Sequence, residues 1–353
     1  MQFIIFIILF FEVSFSFAQR PFEIIQTVYF IGDAGKYETT NELLKRLKTE
    51  IENDELSTVV FLGDNVYPQG LDGKKSSENK LVAQLSILQN YKGNVYVIPG
   101  NHDWKMGKPG GYKTVLRQAE FVENYLNNTT IANKNAPNFL PTNALPGPYD
   151  TLIAENLRMV FIDSQWFLHS QIIHKTGKIG SRKNTKKLFY AALDSTLNAA
   201  HKRGERVIIN MHHPIFTNGH HALFNEPFRS LINYTPFQIF GLIGLNKALL
   251  QDMPQPRNKR MRKQMLAIFD KYPNIVHACG HDHNIQYFRH NENHYIVSGS
   301  GSKLSSIKKK KYPDLYRNDS KKGYVKAVFF KDGNVTFEAF YEDGTEEVIR
   351  GIR

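Results

Sequence analysis

Two histidines one residue apart, His281 and His283, follow an apolar segment from Asn274 to Ala278 that has the composition of a buried strand. Side chains at positions i and i+2 of an extended backbone point the same way, so both imidazoles can reach one metal ion. A single pair of this kind would fit two surface histidines equally well. Four further blocks place Asp, Asn, Tyr or His directly after predicted strands: Gly32 to Gly35, Gly63 to Tyr67, Gly100 to Asp103 and Asn210 to Pro214. Because open α/β sheets gather their functional groups at the carboxyl ends of strands, the five blocks together predict one metal centre.

The segments between these blocks have the periodicity of a mixed α/β fold. A first strand at Ile24 to Ile31, an amphipathic helix at Glu42 to Glu52 and a second strand at Thr58 to Leu62 predict a parallel pair joined by a right-handed crossover. An alternating hairpin at residues 149–162 begins a second sheet. We therefore expect an α/β protein of two mixed sheets packed face to face, with helices outside and the ligands on one rim. Further predicted elements are helices at Leu81 to Leu88, Tyr112 to Leu126 and Asn184 to Arg203, the last capped by Asn184, and strands at Val95 to Ile98, Arg206 to Ile209, Tyr324 to Phe330 and Val335 to Tyr341.

The composition is that of a soluble globular protein with a basic surface. The chain has 353 residues, of which 41% are hydrophobic and 22% charged, and 45 Lys and Arg against 33 Asp and Glu give a net charge of +12. A basic surface attracts anions to a cleft, and phosphate esters are candidates. No Arg-rich helix or RNA-binding signature is present, so we expect no nucleic-acid partner.

The N-terminus has the features of a secretory signal. An apolar run from Phe3 to Phe11 is too short to span a bilayer, and Ser16-Phe17-Ala18 is a small-x-small site, so we predict a cleaved signal at residues 1–18 and an exported protein. Because no Lys or Arg precedes the run, an uncleaved anchor is the alternative. Cys279 is the single cysteine, so no intrachain disulfide stabilises the fold.

Taken together, the five blocks resemble the metallophosphoesterase superfamily, and the block Gly63-Asp64-x-x-Tyr67 resembles the purple acid phosphatases, closest to the small tartrate-resistant type. The resemblance covers about Val28 to Gly301. It implies a four-layer αββα sandwich, a single calcineurin-like domain at about 24–345, and an enzyme that hydrolyses phosphoric esters.

The same resemblance implies a binuclear metal centre. Asp64 would bridge the two ions, with Asp33, Tyr67 and His283 completing one site and Asn101, His212 and His281 completing the other. Phenolate and carboxylate oxygens are hard anionic donors that favour a trivalent ion, whereas an amide oxygen with two imidazoles suits a divalent one. We therefore expect Fe(III) at the Tyr67 site and Fe(II), Zn(II) or Mn(II) at the second site.

Two histidines are the predicted catalytic residues. His102 follows the ligand Asn101 and is placed to donate a proton to the leaving group or to stabilise charge on the phosphoryl group; the alternative is a hydrogen bond that only orients Asn101. The resemblance places a substrate-contacting histidine near His221, with His220 as the weaker candidate. Hydrolysis would proceed by direct attack of metal-bound hydroxide, without a protein nucleophile. Asp103 is a candidate partner for a histidine, and His213 a wall residue.

The stretch at about 224–261 departs most from the small acid phosphatases. It is mostly apolar and runs into a basic cluster that begins after Pro256, so residues 231–263 could contact a membrane surface peripherally. A lid over the active-site cleft is the favoured alternative, because the stretch emerges from the loop that carries His212 and His221.

Three functions fit the sequence. The leading one is an exported acid phosphatase acting on phosphate monoesters. The second is a phosphodiesterase, or a nucleotide or phospholipid-headgroup phosphoesterase, with the same centre, since loops rather than ligands set the substrate. The remote third is a non-catalytic metal-binding, membrane-associated protein. The sequence does not indicate an oligomeric state.

Overall fold

The structure is a computed structural model that describes residues 23–55, 57–129, 136–168, 182–222, 253, 255–307 and 311–351. The predicted signal at residues 1–18 and most of the 224–261 stretch lie outside the described residues.

Two mixed β-sheets form the centre of the molecule, as the sequence predicts. The first has six strands in the spatial order β13 (Glu346–Arg350), β12 (Val335–Tyr341), β11 (Gly323–Phe330), β1 (Ile24–Ile31), β2 (Ser57–Phe61) and β3 (Asn94–Val97). The strands β1, β2 and β3 are parallel to one another, which confirms the predicted crossover pair. The edge strand β13 carries the sheet past the expected domain end at residue 345.

The second sheet has seven strands and begins at the predicted hairpin. In spatial order these are β10 (Tyr316–Asn318), β8 (Ile285–His290), β9 (Asn293–Ser298), β7 (Ile275–Cys279), β6 (Arg206–Met211), β5 (Leu157–Ile162) and β4 (Tyr149–Ala154). The strands β5, β6 and β7 are parallel, so the loops that follow β6 and β7 leave the sheet at the same rim.

Six α-helices are described: α1 (Glu42–Glu52), α2 (Lys75–Leu85), α3 (Gly111–Thr129), α4 (Gln165–Leu168), α5 (Arg182–Lys202) and α6 (Pro256–Phe269). Asn41 caps α1, and its side chain accepts a hydrogen bond from the Leu44 amide. The predicted cap at Asn184 is wrong, because α5 begins two residues earlier and Asn184 lies within its first turn. The described helices include none that is both long and apolar enough to cross a membrane.

The two sheets pack face to face through a largely apolar layer. Phe30 of β1, Val60 of β2, Phe161 of β5 and Ala278 of β7 are completely buried in it. A second buried cluster fills the space between the sheets and the helices, where α1 contributes Leu43, Leu44, Leu47 and Ile51. Strands covered on both faces are nearly continuous apolar runs. The polar side chains that they do carry are buried with hydrogen-bond partners, as where Gln26 of β1 donates to Thr58 of β2 over 3.0 Å.

Candidate metal centre

The loops that follow β1, β2, β3, β6 and β7 bring all seven predicted ligands to one place. Asp33, Asp64 and His212 are buried, and one donor atom from each lies within 4.8 Å of the other two. The remaining four ligands are joined to these three by short contacts on opposite sides of the group. The sequence blocks therefore meet as predicted, although they span about 250 positions of the chain.

One half of the centre contains Asp33, Tyr67 and His283. The Tyr67 hydroxyl donates to Asp33 Oδ1 over 2.8 Å and lies 3.2 Å from His283 Nε2. His283 Nε2 is 3.5 Å from the same Asp33 oxygen. The polar atoms of these three side chains therefore face one another. The three residues are the set that the sequence analysis assigned to the trivalent ion.

The other half contains Asn101, His212 and His281. His212 donates from Nδ1 to the Leu62 carbonyl over 2.8 Å, which leaves a lone pair on its Nε2. With the amide assigned so that Oδ1 faces the histidines, Asn101 Oδ1 lies 3.0 Å from both His212 Nε2 and His281 Nδ1. The two ring nitrogens are 3.3 Å apart.

This arrangement fits a bound cation. Asn101 Oδ1, His212 Nε2 and His281 Nδ1 point at one small space, and a metal ion there can accept a lone pair from each of them when the two rings carry their protons on the other nitrogens. Burial and the neighbouring histidines lower the pKa of His281 well below its usual range, so its ring is neutral and able to ligate. The buried Asp33 and Asp64 have ion-pair contacts only with histidines among the described residues.

The pKa values of Asp64 and Tyr67 are shifted in opposite directions. Burial alone would raise the pKa of Asp64, but the charges of His212 and His102 and the hydrogen bond from the His102 amide lower it to about 2. Burial and the charge of Asp33 raise the pKa of Tyr67 well above its usual range. Without a metal, Asp64 is therefore ionised and Tyr67 keeps its proton.

His102 lies on the open side of the centre. Its Nδ1 donates to the Pro68 carbonyl over 2.6 Å, and its Nε2 is 3.8 Å from Asp64 Oδ2. The side chain is 17% exposed, whereas the ligands Asp33 and His212 are completely buried. Mainly through burial, the pKa of His102 is lowered from its ordinary value. The ring is thus fixed by its Nδ1 contact, with Nε2 on the side of Asp64 and part of the ring open to solvent.

His221 lies beside the two metal-site histidines of the last block. Its ring centroid is 4.2 Å from that of His281 and 6.1 Å from that of His283. Asp282 fixes this position, because its buried carboxylate accepts from the His221 amide at 3.0 Å and from the Thr217 hydroxyl at 2.6 Å. His220 is exposed.

His213 is a buried wall residue, as predicted. Its Nδ1 is 2.8 Å from the Ser164 hydroxyl, which also accepts from the His213 amide. Ser164 and Asp163 follow β5, and Asp163 accepts from the Trp104 indole at 2.8 Å. These two residues form a sixth polar block at a strand end, which the sequence analysis did not identify although the same positional signal was present.

Asp103 has a different role from the predicted one. It accepts hydrogen bonds from the amides of Gly100, Asn65 and Val66 and from the Asn65 side chain, rather than from a histidine. It therefore ties the loop after β2, which carries Asp64 and Tyr67, to the loop after β3.

Lys303 is a further residue that the sequence did not single out. Its ammonium nitrogen lies 3.3 Å from the centroid of the Tyr67 ring, and its side chain is half-buried. Burial lowers the pKa of Lys303, an effect that Asp64 and Asp33 partly oppose. A lysine in a Gly- and Ser-rich loop has no sequence pattern that would mark it.

The predicted insert at 224–261 leaves the fold beside this centre and returns beside it. The Met253 amide donates to the His221 carbonyl over 3.1 Å, and residues 256–261 already belong to α6. Arg262, one of the cations assigned to a membrane interface, is buried and donates to the carbonyls of Ile215 and Met253. That residue therefore does not face a membrane, and the rest of the lid and interface predictions lie outside the described residues.

Comparisons with known proteins agree with this geometry. A family model described as calcineurin-like phosphoesterase matches residues 26–299. No curated protein matches the sequence.

Solved structures with a similar fold share little sequence with the chain. The anchor protein GAP50 of the Plasmodium inner membrane complex is 18% identical with a TM-score of 0.55, covering 92% of this chain and 89% of that one. A dimetal phosphatase from Danio rerio is 13% identical with a TM-score of 0.51, covering 93% and 99%. The purple acid phosphatase PPD1 from yellow lupin is 14% identical with a TM-score of 0.55, covering 92% of this chain and 53% of the lupin chain, so this chain spans about half its length.

Proposed function

Because the chain belongs to the calcineurin-like phosphoesterase family and is a phosphoric ester hydrolase, we propose that it is an exported acid phosphatase acting on phosphate monoesters. Members of this family use a binuclear metal centre. The observation that carries the proposal is the convergence of seven metal-binding side chains, including a tyrosine, at one sheet rim.

The proposed assignment of ligands follows the two halves of the centre. Asp33, Tyr67 and His283 would hold Fe(III), and Asn101, His212 and His281 would hold Fe(II), Zn(II) or Mn(II), with Asp64 between them. Two such ions, when bound, polarise the phosphoryl group and activate water near neutral pH. The tyrosine in this ligand set supports the finer proposal of a purple acid phosphatase of the small tartrate-resistant type.

We propose that His102 donates a proton to the leaving alkoxide. Its Nδ1 is held by the Pro68 carbonyl, so Nε2 is the atom left to carry the proton toward the substrate. Because the pKa of His102 is lowered from its ordinary value, the protonated form is populated only in acid. Activity toward esters with poor leaving groups should then fall as the pH rises, which supports an acid phosphatase.

His221 is the second proposed catalytic residue. Its ring lies on His281 and close to His283, and Asp282 fixes its backbone. A neutral or protonated imidazole at this position can hydrogen bond a phosphoryl oxygen or the leaving group. The role would be to orient the ester.

We propose export from the apolar run and the small-x-small site at residues 1–18.

The two other functions that fit the sequence differ from a monoesterase in the reaction that they would carry out. A phosphodiesterase, or a nucleotide or phospholipid-headgroup phosphoesterase, would use the same centre, and a non-catalytic metal-binding, membrane-associated protein is the remote alternative, compatible with the fold likeness to an anchor protein. Retention of all seven ligands together with His102 supports catalysis.

The test is hydrolysis by the purified, metal-loaded protein. We expect turnover of 4-nitrophenyl phosphate at acid pH that exceeds turnover of bis(4-nitrophenyl) phosphate, and a visible tyrosinate-to-iron absorption band that disappears in Tyr67→Phe. A preference for the diester would favour the phosphodiesterase. No hydrolysis of either ester at any pH, with metal bound, would refute the proposed phosphatase and favour the non-catalytic alternative.

A further inference from the structure

The loop after β9 is held rigidly against two of the ligand loops. The Gly301 amide donates to the Gly32 carbonyl over 3.0 Å, and the Ser302 hydroxyl donates to the Asp33 carbonyl. Further along, the Ser305 amide donates to the His283 carbonyl over 2.8 Å. Lys303 lies between these hydrogen bonds, so its backbone is held in a fixed position relative to the loops that carry Asp33 and His283.

The Lys303 side chain lies at the open side of the metal centre. Its ammonium nitrogen is 3.3 Å from the centroid of the Tyr67 ring, and the His102 ring packs on the same tyrosine with centroids 4.3 Å apart. His102 and His283 have side chains that are 17% exposed, so this side of the site is open to solvent and accessible to a substrate. Lys303 and the proton donor therefore border the same entrance.

The ammonium group has no carboxylate within ion-pair distance in the described part of the chain. It is attracted by Asp64 and Asp33 at longer range, and it is repelled by the exposed Lys36 that follows the first ligand loop. A half-buried cation that packs on an aromatic ring and makes no hydrogen bond to the described residues is suited to bind an anionic oxygen at the open side of a phosphoesterase site.

We propose that Lys303 is a substrate-binding residue that contacts a phosphoryl oxygen and selects dianionic phosphate monoesters over monoanionic diesters. The inference rests on the proposed function and deepens it. Above the second ionisation of a monoester, at about pH 6, a monoester carries two negative charges and a diester carries one, so one fixed cation attracts the monoester more strongly. The two esters are therefore compared near neutral pH as well as at acid pH, and the selectivity should weaken in acid. The alternative role is structural: the ammonium would only offset the charge of Asp33 and Asp64.

Three variants distinguish these roles. Lys303→Met keeps the length of the aliphatic stem and removes the charge, and Lys303→Arg keeps the charge. Lys326→Met is the matched control, since Lys326 packs on the rings of Tyr29 and Phe340, which are not predicted ligands. Each metal-loaded protein is tested for metal content, for inorganic phosphate affinity by calorimetry, and for kcat/KM on 4-nitrophenyl phosphate and bis(4-nitrophenyl) phosphate.

A hydrogen bond to a charged group contributes about 1.5–3 kcal/mol, so Lys303→Met should weaken phosphate binding and monoester kcat/KM by about 10- to 100-fold. The loss in kcat/KM for the diester should be several times smaller, and Lys303→Arg should recover most of the activity. The metal content of Lys303→Met should equal that of the wild type, and Lys326→Met should match the wild type in every measurement. Equal losses for both esters, unchanged phosphate affinity, or loss of metal in Lys303→Met would overturn the inference. If the wild type hydrolyses neither ester, the proposed enzyme fails, and the phosphate measurement still decides whether Lys303 binds the anion.

Discussion

Gly100 provides a sharp test of how the loops position Asp64. A Cβ atom added at Gly100 would lie 2.3 Å from Asp64 Oδ1 and 2.4 Å from the Asp64 amide nitrogen. Real Cβ contacts essentially never fall below 3.0 Å, so the contact with the backbone nitrogen requires Gly100→Ala to separate the two loops by at least 3.0 − 2.4 = 0.6 Å. The obstructing atoms include backbone, so a rotamer change alone cannot relieve the clash.

A displacement of this size matters for the proposed bridging ligand. Metal and catalytic side chains must be held within about 0.5 Å of their working geometry, and an error of about 1 Å can cost about 100-fold in rate. Overpacking should also destabilise the fold by about 1–3 kcal/mol. We expect Gly100→Ala to retain less than half of the metal of the wild type and to lose at least about tenfold in kcat/KM.

The matched control is Gly204→Ala. Gly204 has a φ of +70° and no atom within 4 Å of an added Cβ, so alanine there is strained but sterically free. It should lose about 1 kcal/mol of stability and keep its metal. Metal analysis, thermal unfolding and monoester hydrolysis measure all three quantities. Full metal content and activity in Gly100→Ala would refute the close packing of these loops.

Three other predictions follow from single contacts. Asp282→Asn should keep its metal but lose about tenfold in kcat, because the carboxylate that holds the His221 amide is weakened; unchanged kinetics would contradict a role for His221. Metal binding should release the Tyr67 proton, so the affinity for metal should rise with pH. Metal titrations at two pH values should show that this pH dependence is weaker in Tyr67→Phe. Hydrogen bonds from Arg203 and Arg158 lower the pKa of Glu205 to about 2, so its stabilisation is present above the unfolded pKa and lost toward pH 2. The difference in Tm between wild type and Glu205→Gln should therefore shrink between about pH 5 and pH 2; a constant difference would argue against the ion pair.

Much of the fold was predictable because its parallel strands are buried on both faces. Such strands are short apolar runs that stop abruptly at Gly and a polar residue, and this signal placed β1 without error and β2 and β3 within one residue. The edge strand β13 was missed because Glu346–Arg350 is largely exposed and has no apolar alternation. The start of α5 was misplaced because Asn184 resembles a cap in sequence, while the helix extends before it.

The convergence of the ligand blocks was predictable for the same reason. The hydrogen-bond partners of the residues in these blocks were not predictable, because contacts between distant loops leave no periodic pattern in the sequence. Asp103 resembles a histidine partner in sequence, yet the backbone amides of two loops surround it. Lys303 reaches the centre only because hydrogen bonds to the carbonyls of Asp33 and His283 hold its loop there.

The most direct test of the account is the metal content of the purified protein measured beside that of Asp64→Asn. We expect two ions per chain in the wild type, and in the variant the loss of at least one ion and of phosphatase activity. An active wild-type enzyme without bound metal, or two ions retained after the substitution, would contradict it.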